Sequence, residues 1–170
     1  MRPALIAFGL LLSACADEPA PEPAPEPTPA EPEGQRLGVP PALLARAREE
    51  ASGLSHLTPA LQARALEGRI PAAQPGYGAL RRDPAAHAEA RVALEGRVGL
   101  ARPAGEHLWI VALMLRRDGE RWVDPIYVLS VVPPPDEGAV ARAYGWVVGE
   151  RTIGRHALPL VLAYAVVPAA

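Results

Sequence analysis

Apolar and polar residues alternate with period two across the second half of the chain and with a helical period before it. In Arg91-Val92-Ala93-Leu94-Glu95-Gly96-Arg97-Val98, Val92, Leu94 and Val98 fall on one side and Arg91, Glu95 and Arg97 on the other. That is the alternation of a half-buried strand. Gly96 stands in the inner row, where a missing side chain marks a bend or the close approach of another backbone. Leu108 to Leu115 is apolar at every position, so both of its faces are expected to be covered. Asp118-Gly119 then turns the chain into Arg121 to Val131, making a hairpin. Asp124-Pro125 inside that second arm marks an edge or a bulge. Beyond Pro133-Pro134-Pro135 come Val140 to Val148 and Leu158 to Val167, which bring the predicted strands to five.

Upstream the apolar spacing is helical. Pro40 and Pro41 precede Leu43, Leu44, Ala47 and Ala51 on one face, with arginines and glutamates opposite and Gly53 as the stop; proline at the first turn and glycine at the end delimit a helix. A second short helix starts at Thr58 as N-cap, with Pro59 in the first turn, carries Leu61, Ala65 and Leu66, and ends before Gly68. Neither apolar face is broad enough to stand alone. Residues 69–82, with Pro71, Pro75, Gly76 and Gly78, read as irregular linker.

Before the helices, Glu18-Pro19-Ala20-Pro21-Glu22-Pro23-Ala24-Pro25-Glu26-Pro27 alternates proline with alanine and glutamate. Proline fixes φ and removes donors, so polyproline II is the expected form, and about 20 such residues reach roughly 60 Å. This disordered Pro/Glu stretch is a stalk, kept extended by repulsion between its glutamates. At the start of the chain Arg2 precedes an apolar run from Ala4 to Ala14. The run is about 11 residues, against the roughly 20 needed for a membrane-crossing helix. With small residues before the only cysteine, it reads as a secretory signal and its cleavage site.

Leu12-Ser13-Ala14-Cys15 resembles, at every position, the lipobox of bacterial lipoproteins. The resemblance implies a lipid thioether on Cys15, cleavage after Ala14, and acylation of the freed amine by a chain such as palmitate. Several chains anchor a protein stably where one does not. The protein's first partner would therefore be the membrane, through the lipid on Cys15. Ala16 replaces the aspartate that retains enteric lipoproteins at the inner membrane, which favours the outer membrane or its periplasmic face. The plain alternative, a buried or disulfide-bonded cysteine, lacks a partner cysteine. The expected organisation is a signal peptide at 1–14, a lipid-anchored linker at 15–36, a helical and irregular segment at 37–87, and a β-barrel at 88–168.

Composition changes this picture little. All 17 basic residues are arginine, which most simply reflects coding bias. The net charge of −2 hides an asymmetry: residues 17–33 carry six acids and no base, whereas residues 34–170 hold 16 arginines against 13 acids. That balance is too weak to mark a nucleic-acid binder, so nucleic acid is an improbable partner. There is no HExxH, CxxC, GxSxG or P-loop, and the four histidines show no metal-ligand spacing. No cofactor and no metal is implied. Gly76-Tyr77-Gly78 lacks the third glycine of a dinucleotide turn and reads as a loop.

Five strands, a bend-forming glycine in the first and a long connection before the last two resemble the oligonucleotide/oligosaccharide-binding (OB) barrel. Leu94-Glu95-Gly96-Arg97-Val98, Tyr144-Gly145-Trp146-Val147-Val148-Gly149 and Leu158-Pro159-Leu160-Val161 resemble small secreted OB proteins of the anticodon-binding-like type. Pro133 to Gly138 leaves no room for the helix that such barrels often insert, so the two N-terminal helices are expected to cap the barrel or cover Leu108 to Leu115. The fold is then mainly β, an OB-like barrel with two short helices. In OB barrels ligands meet strands two and three and the loops joining strands one to two and four to five. The resemblance places Arg102 and His107 in one loop (101–107), Arg151, Arg155 and His156 in the other (150–157), and Trp122 and Tyr127 as stacking surface. Arginines beside aromatic planes suit sugars or anionic glycans; the bland alternative makes the tryptophans core and the arginines solvated. The function expected is a lipid-anchored, non-catalytic binding or scaffolding module of the cell envelope, contacting an envelope protein or a polysaccharide. The alternatives are an envelope hydrolase using the scattered histidines, or a binder of anionic glycan through the OB face.

Overall fold

The computed structural model describes residues 37–153 and 156–169, the side chains of residues 153 and 156 excepted. The signal peptide, Cys15, the Pro/Glu stretch and Arg155 lie outside the described residues. Helices α1 (Pro41–Leu54), α2 (Pro59–Glu67) and α3 (Tyr77–Arg82) and a 3-10 turn at Ala85–His87 precede β1 (Arg91–Gly105), β2 (Leu108–Asp118), β3 (Arg121–Ser130), β4 (Val140–Ile153) and β5 (His156–Pro168). The protein is mainly β. Its five strands close on themselves in the order β1-β2-β3-β5-β4, antiparallel except for β3 against β5.

Closure depends on two glycines. A Cβ on Gly96 would collide with the Met114 carbonyl oxygen and lie 2.9 Å from its carbon. One on Gly145 would collide with the Leu162 carbonyl and lie 2.8 Å from Ala163 Cα. Only glycine lets the strands come this close. The expected backbone approach at Gly96 is found, and it lies where β1 passes from β4 to β2. Through Arg97 the strand pairs with β4, and from Arg97 onward with β2, with a register shift between Val98 and Leu100. β4 shifts register against β5 between Tyr144 and Gly145.

Two apolar layers result. Alternate residues form one cluster inside the sheet, among them Val92, Leu94, Val111, Leu113, Ile126 and Val161, joined by Leu80 from α3. The opposite faces of β4 and β5 supply Tyr144, Trp146, Leu160, Leu162 and Tyr164, which α1 covers with Leu43, Leu44, Ala47, Ala51 and Leu54, and α2 with Leu66. β5 is therefore buried on both sides, the reason its sequence is continuously apolar. Leu108 to Leu115 is only alternately buried, with Ile110, Ala112 and Met114 half-exposed, because the helices cover β4 and β5 instead.

Three expectations about the connections change. The stretch read as linker at 69–82 contains α3, capped by Gly76 and carrying the fully buried Leu80; burial of one leucine outweighs the local breakers. Gly76-Tyr77-Gly78 thus opens a helix. The loops expected at 101–107 and 150–157 are mostly strand. β1 continues to Gly105 and leaves only Glu106 and His107 in the turn. β4 runs to Ile153 and pairs with β5 down to Ile153 opposite His156. Pro103 is tolerated because β1 no longer has β4 as a neighbour there. Asp124-Pro125 does mark an edge: β3 meets β5 only from Tyr127 to Ser130, and Asp124 takes φ 62°.

Gly96→Ala should lower the unfolding free energy by about 1–3 kcal/mol, the cost of forcing a methyl into a packed interior. Gly53→Ala, where a Cβ meets nothing within 4 Å, should leave stability unchanged or raise it by up to about 1 kcal/mol. Urea denaturation of the two variants beside the native chain checks both.

Candidate functional site

The close approach at Gly96 opens a groove on the other side of the same strand. Past Arg97, β1 has lost β4, and the connection between β3 and β4 takes its place. Gly138 N donates to Val98 O at 2.7 Å, Val98 N to Ala139 O at 2.9 Å, and Arg97 Nε to Gly138 O at 3.2 Å. Ala101 N donates to Glu137 Oε1 at 2.9 Å, so a carboxylate occupies the place of the missing strand carbonyl. Between this connection and the β2–β3 turn lies a concavity of about 620 Å³. Trp122, Met114 and Gly99 line its floor and sides, with Arg97, Arg121 and Glu120 at its rim. Gly99 makes room for Met114, whose Cγ would stand 3.3 Å from an added Cβ. The turn is the two-residue loop Gly119-Glu120, with Gly119 at φ 60° as a tight hairpin requires.

Charges around the groove are balanced. Arg97 and Arg121 face Glu120 and Glu137, and Arg116 Nε donates to Asp124 Oδ2 at 2.7 Å beside it, an ion pair that holds the Arg116 guanidinium more firmly charged. A second polar cluster lies on the helical side. The guanidinium carbons of Arg46 and Arg91 stand 5.0 and 5.7 Å from the centre of the buried Trp146 ring, within cation–π range. Glu50 ties Arg69 at 2.9 Å and Arg91 at 3.5 Å. The Tyr164 ring packs 4.9 Å from that of Trp146; burial pushes its hydroxyl pKa upward, with Glu50 adding to the shift and Arg91 and Arg69 opposing it. This cluster fastens α1 to the sheet.

The described residues among those singled out from sequence do not gather at one place. Trp122 is half-buried and lines the groove. Tyr127 packs against the outer apolar cluster instead, because Tyr127 and Val128 alternate sides of β3 and Val128 belongs to the interior. Arg102 is an exposed strand residue opposite Ile110. His107 sits in the β1–β2 turn at φ 58° with Nε2 3.7 Å from Glu106. Arg151 is half-buried in β4 opposite Leu158, and its Nη1 is enclosed without a hydrogen-bond partner. His156 is described by its backbone alone, as the first residue of β5. From the rung joining Tyr127 to Ala112 and Leu160, the β1–β2 turn lies four residues along β2 in one direction. The start of β5 lies four residues back in the other. The two hairpins leave the β2–β3 ladder at opposite ends, which sets Arg102 and Arg151 apart on the sheet. Sequence reading missed Arg97, Arg121, Glu120 and Glu137, which meet only through the β3–β4 connection; alternation marked Arg97 as outward-facing, and nothing more.

No family model matches the chain, and no curated protein is significantly similar to it. Among solved structures it is similar to one assigned as an aspartyl-tRNA synthetase from Leishmania major Friedlin, at 13% identity and a TM-score of 0.37. The likeness covers 50% of this chain and 19% of that protein, and at that level it carries no argument about activity.

Removing the Glu137 carboxylate tests how the groove is built. Glu137→Ala should speed hydrogen exchange at the Ala101 amide roughly fivefold or more, the loss expected for a hydrogen bond to a charged group. Amides inside the sheet, such as Val111, should be unchanged, as read by NMR-detected exchange.

Proposed function

We propose that this protein is a lipid-anchored module of the cell envelope whose OB-like barrel binds or scaffolds a partner without catalysing a reaction. The OB-like reading rests on the strand order β1-β2-β3-β5-β4 and on a coiled β1 shared between β4 and β2. The envelope reading rests on Leu12-Ser13-Ala14-Cys15 behind a short apolar run. Among the described residues no helix is long and apolar enough to cross a membrane. The non-catalytic reading follows from the lack of a compact catalytic motif in the sequence.

The observation that carries the binding role is the groove holding Trp122. It offers an aromatic plane, a flexible methionine and rim charges of both signs. Such a surface suits an extended segment of an envelope protein, with a polysaccharide as the second candidate. The groove is electrically balanced, and Arg102 and Arg151 lie apart on the sheet, so the anionic-glycan alternative is not the preferred reading.

Cys15→Ser should shift the protein from the detergent-rich to the aqueous phase, and unaltered partitioning would refute the anchor. A photo-reactive residue at position 122 should cross-link an envelope protein in intact cells, whereas one at Arg48, exposed on α1, should not. Equal labelling from both positions would remove the groove from the account.

A further inference from the structure

A cavity of about 700 Å³ lies under α2, away from the Trp122 groove. It falls in the 300–1,000 Å³ range of small-molecule sites. One wall is apolar and made of Pro59, Ala60 and Ala63 from α2 with Val167 and Pro168 from β5. The other is polar: Arg64 and Glu67 from α2, and Glu95, Arg142 and Tyr144 from the outer face of β1 and β4. Register explains why the last three meet. Arg142 and Tyr144 are two apart on β4 and share a face, and Glu95 is the β1 residue opposite Arg142. Arg142 pairs with Glu95 through Nε at 3.0 Å and through Nη2.

Tyr144 is the anomaly. The residue is 2% exposed, and its enclosed hydroxyl meets no acceptor; the Arg142 guanidinium beside it is held more firmly charged by Glu95 and by this hydroxyl. The neighbouring Arg142 guanidinium offers only donors, so the phenolic proton lacks an acceptor. A buried polar group left unmet is costly and calls for an explanation. A ligand that enters the cavity and brings the acceptor is such an explanation.

We propose that the cavity under α2 is a binding site for a neutral saccharide, held by Tyr144, the Arg142–Glu95 pair and the α2 residues Arg64 and Glu67 against the Ala60–Ala63–Val167 wall. The charges select this chemistry. Two arginines face two carboxylates, so the site has no net charge with which to hold an ion. An acyl chain would desolvate five polar side chains without replacing their hydrogen bonds. A sugar's hydroxyls accept from guanidinium and phenol and donate to carboxylate, while its C–H face packs on the alanines. The site is separate from the proposed docking groove and does not depend on it.

The test uses the mature chain with maltotriose and chitotriose as neutral probes, read by NMR of the Ala60 and Ala63 methyls. One of the two should move these methyls saturably, with an affinity that is the same at low and high salt. Tyr144→Phe should weaken that binding about fivefold or more and raise the melting temperature of the ligand-free protein, because it removes the unmet hydroxyl. Arg64→Gln, on the exposed side of α2, should weaken binding without altering the melting temperature. Trp122→Ala should leave binding as it is. The proposal is overturned if neither probe shifts the methyls up to about 20 mM, a range that covers weak binding. It is also overturned if Tyr144→Phe binds like the native chain or lowers the melting temperature, or if affinity falls as salt rises.

Discussion

Five strands close into a barrel only where some of them bend sharply enough to change neighbours, and here the bend is made by backbone lying against backbone. Gly96 faces the Met114 carbonyl and Gly145 the Leu162 carbonyl at separations that no Cβ can occupy. At the first contact β1 leaves β4 and continues along β2. At the second, β4 shifts its register against β5. The inner and outer apolar layers and the exits of the connections follow from where these two corners fall.

The groove is a by-product of the first corner. A strand that abandons its neighbour leaves amides and carbonyls to be satisfied, and here Glu137, Gly138 and Ala139 satisfy them. That forces the β3–β4 connection to lie along β1 opposite the β2–β3 turn, with Trp122 between them. The cavity under α2 arises from a different shortage. Of the α2 residues only Leu66 is buried, so this helix touches the sheet along a narrow line and leaves space on its flank. α1 instead buries five residues and stacks an arginine on Trp146.

Alternation made most of the fold legible. Val92, Leu94 and Val98 announced a strand, Gly96 a close approach, and Asp118-Gly119 a turn, because each reflects local chemistry that survives folding. Thr58 does cap α2, accepting from Leu61 N at 3.4 Å. What stayed hidden depends on distant partners. Leu80 makes α3 worthwhile only because the inner apolar cluster receives it, and nothing within residues 69–82 says so. The length of the two hairpins was also hidden, since polar residues in a paired ladder and in a loop look alike along the chain. That reading moved Arg102 and Arg151 into loops, whereas the register holds both in strands and apart from one another. Trp122 was found as an isolated aromatic residue; its neighbours Arg97, Glu120 and Glu137 come from three segments that only the closed sheet unites.

The central claim is that partners meet this protein on the β1–β2–β3 face and not at the hairpin tips. Hydrogen exchange of the mature chain, with and without detergent-solubilised envelope extract, measures this directly. The account predicts that protection gained on adding extract concentrates at residues 97–99, 114, 120–122 and 137–138. Protection confined to residues 105–108 and 151–158, or none anywhere on the barrel, would contradict it.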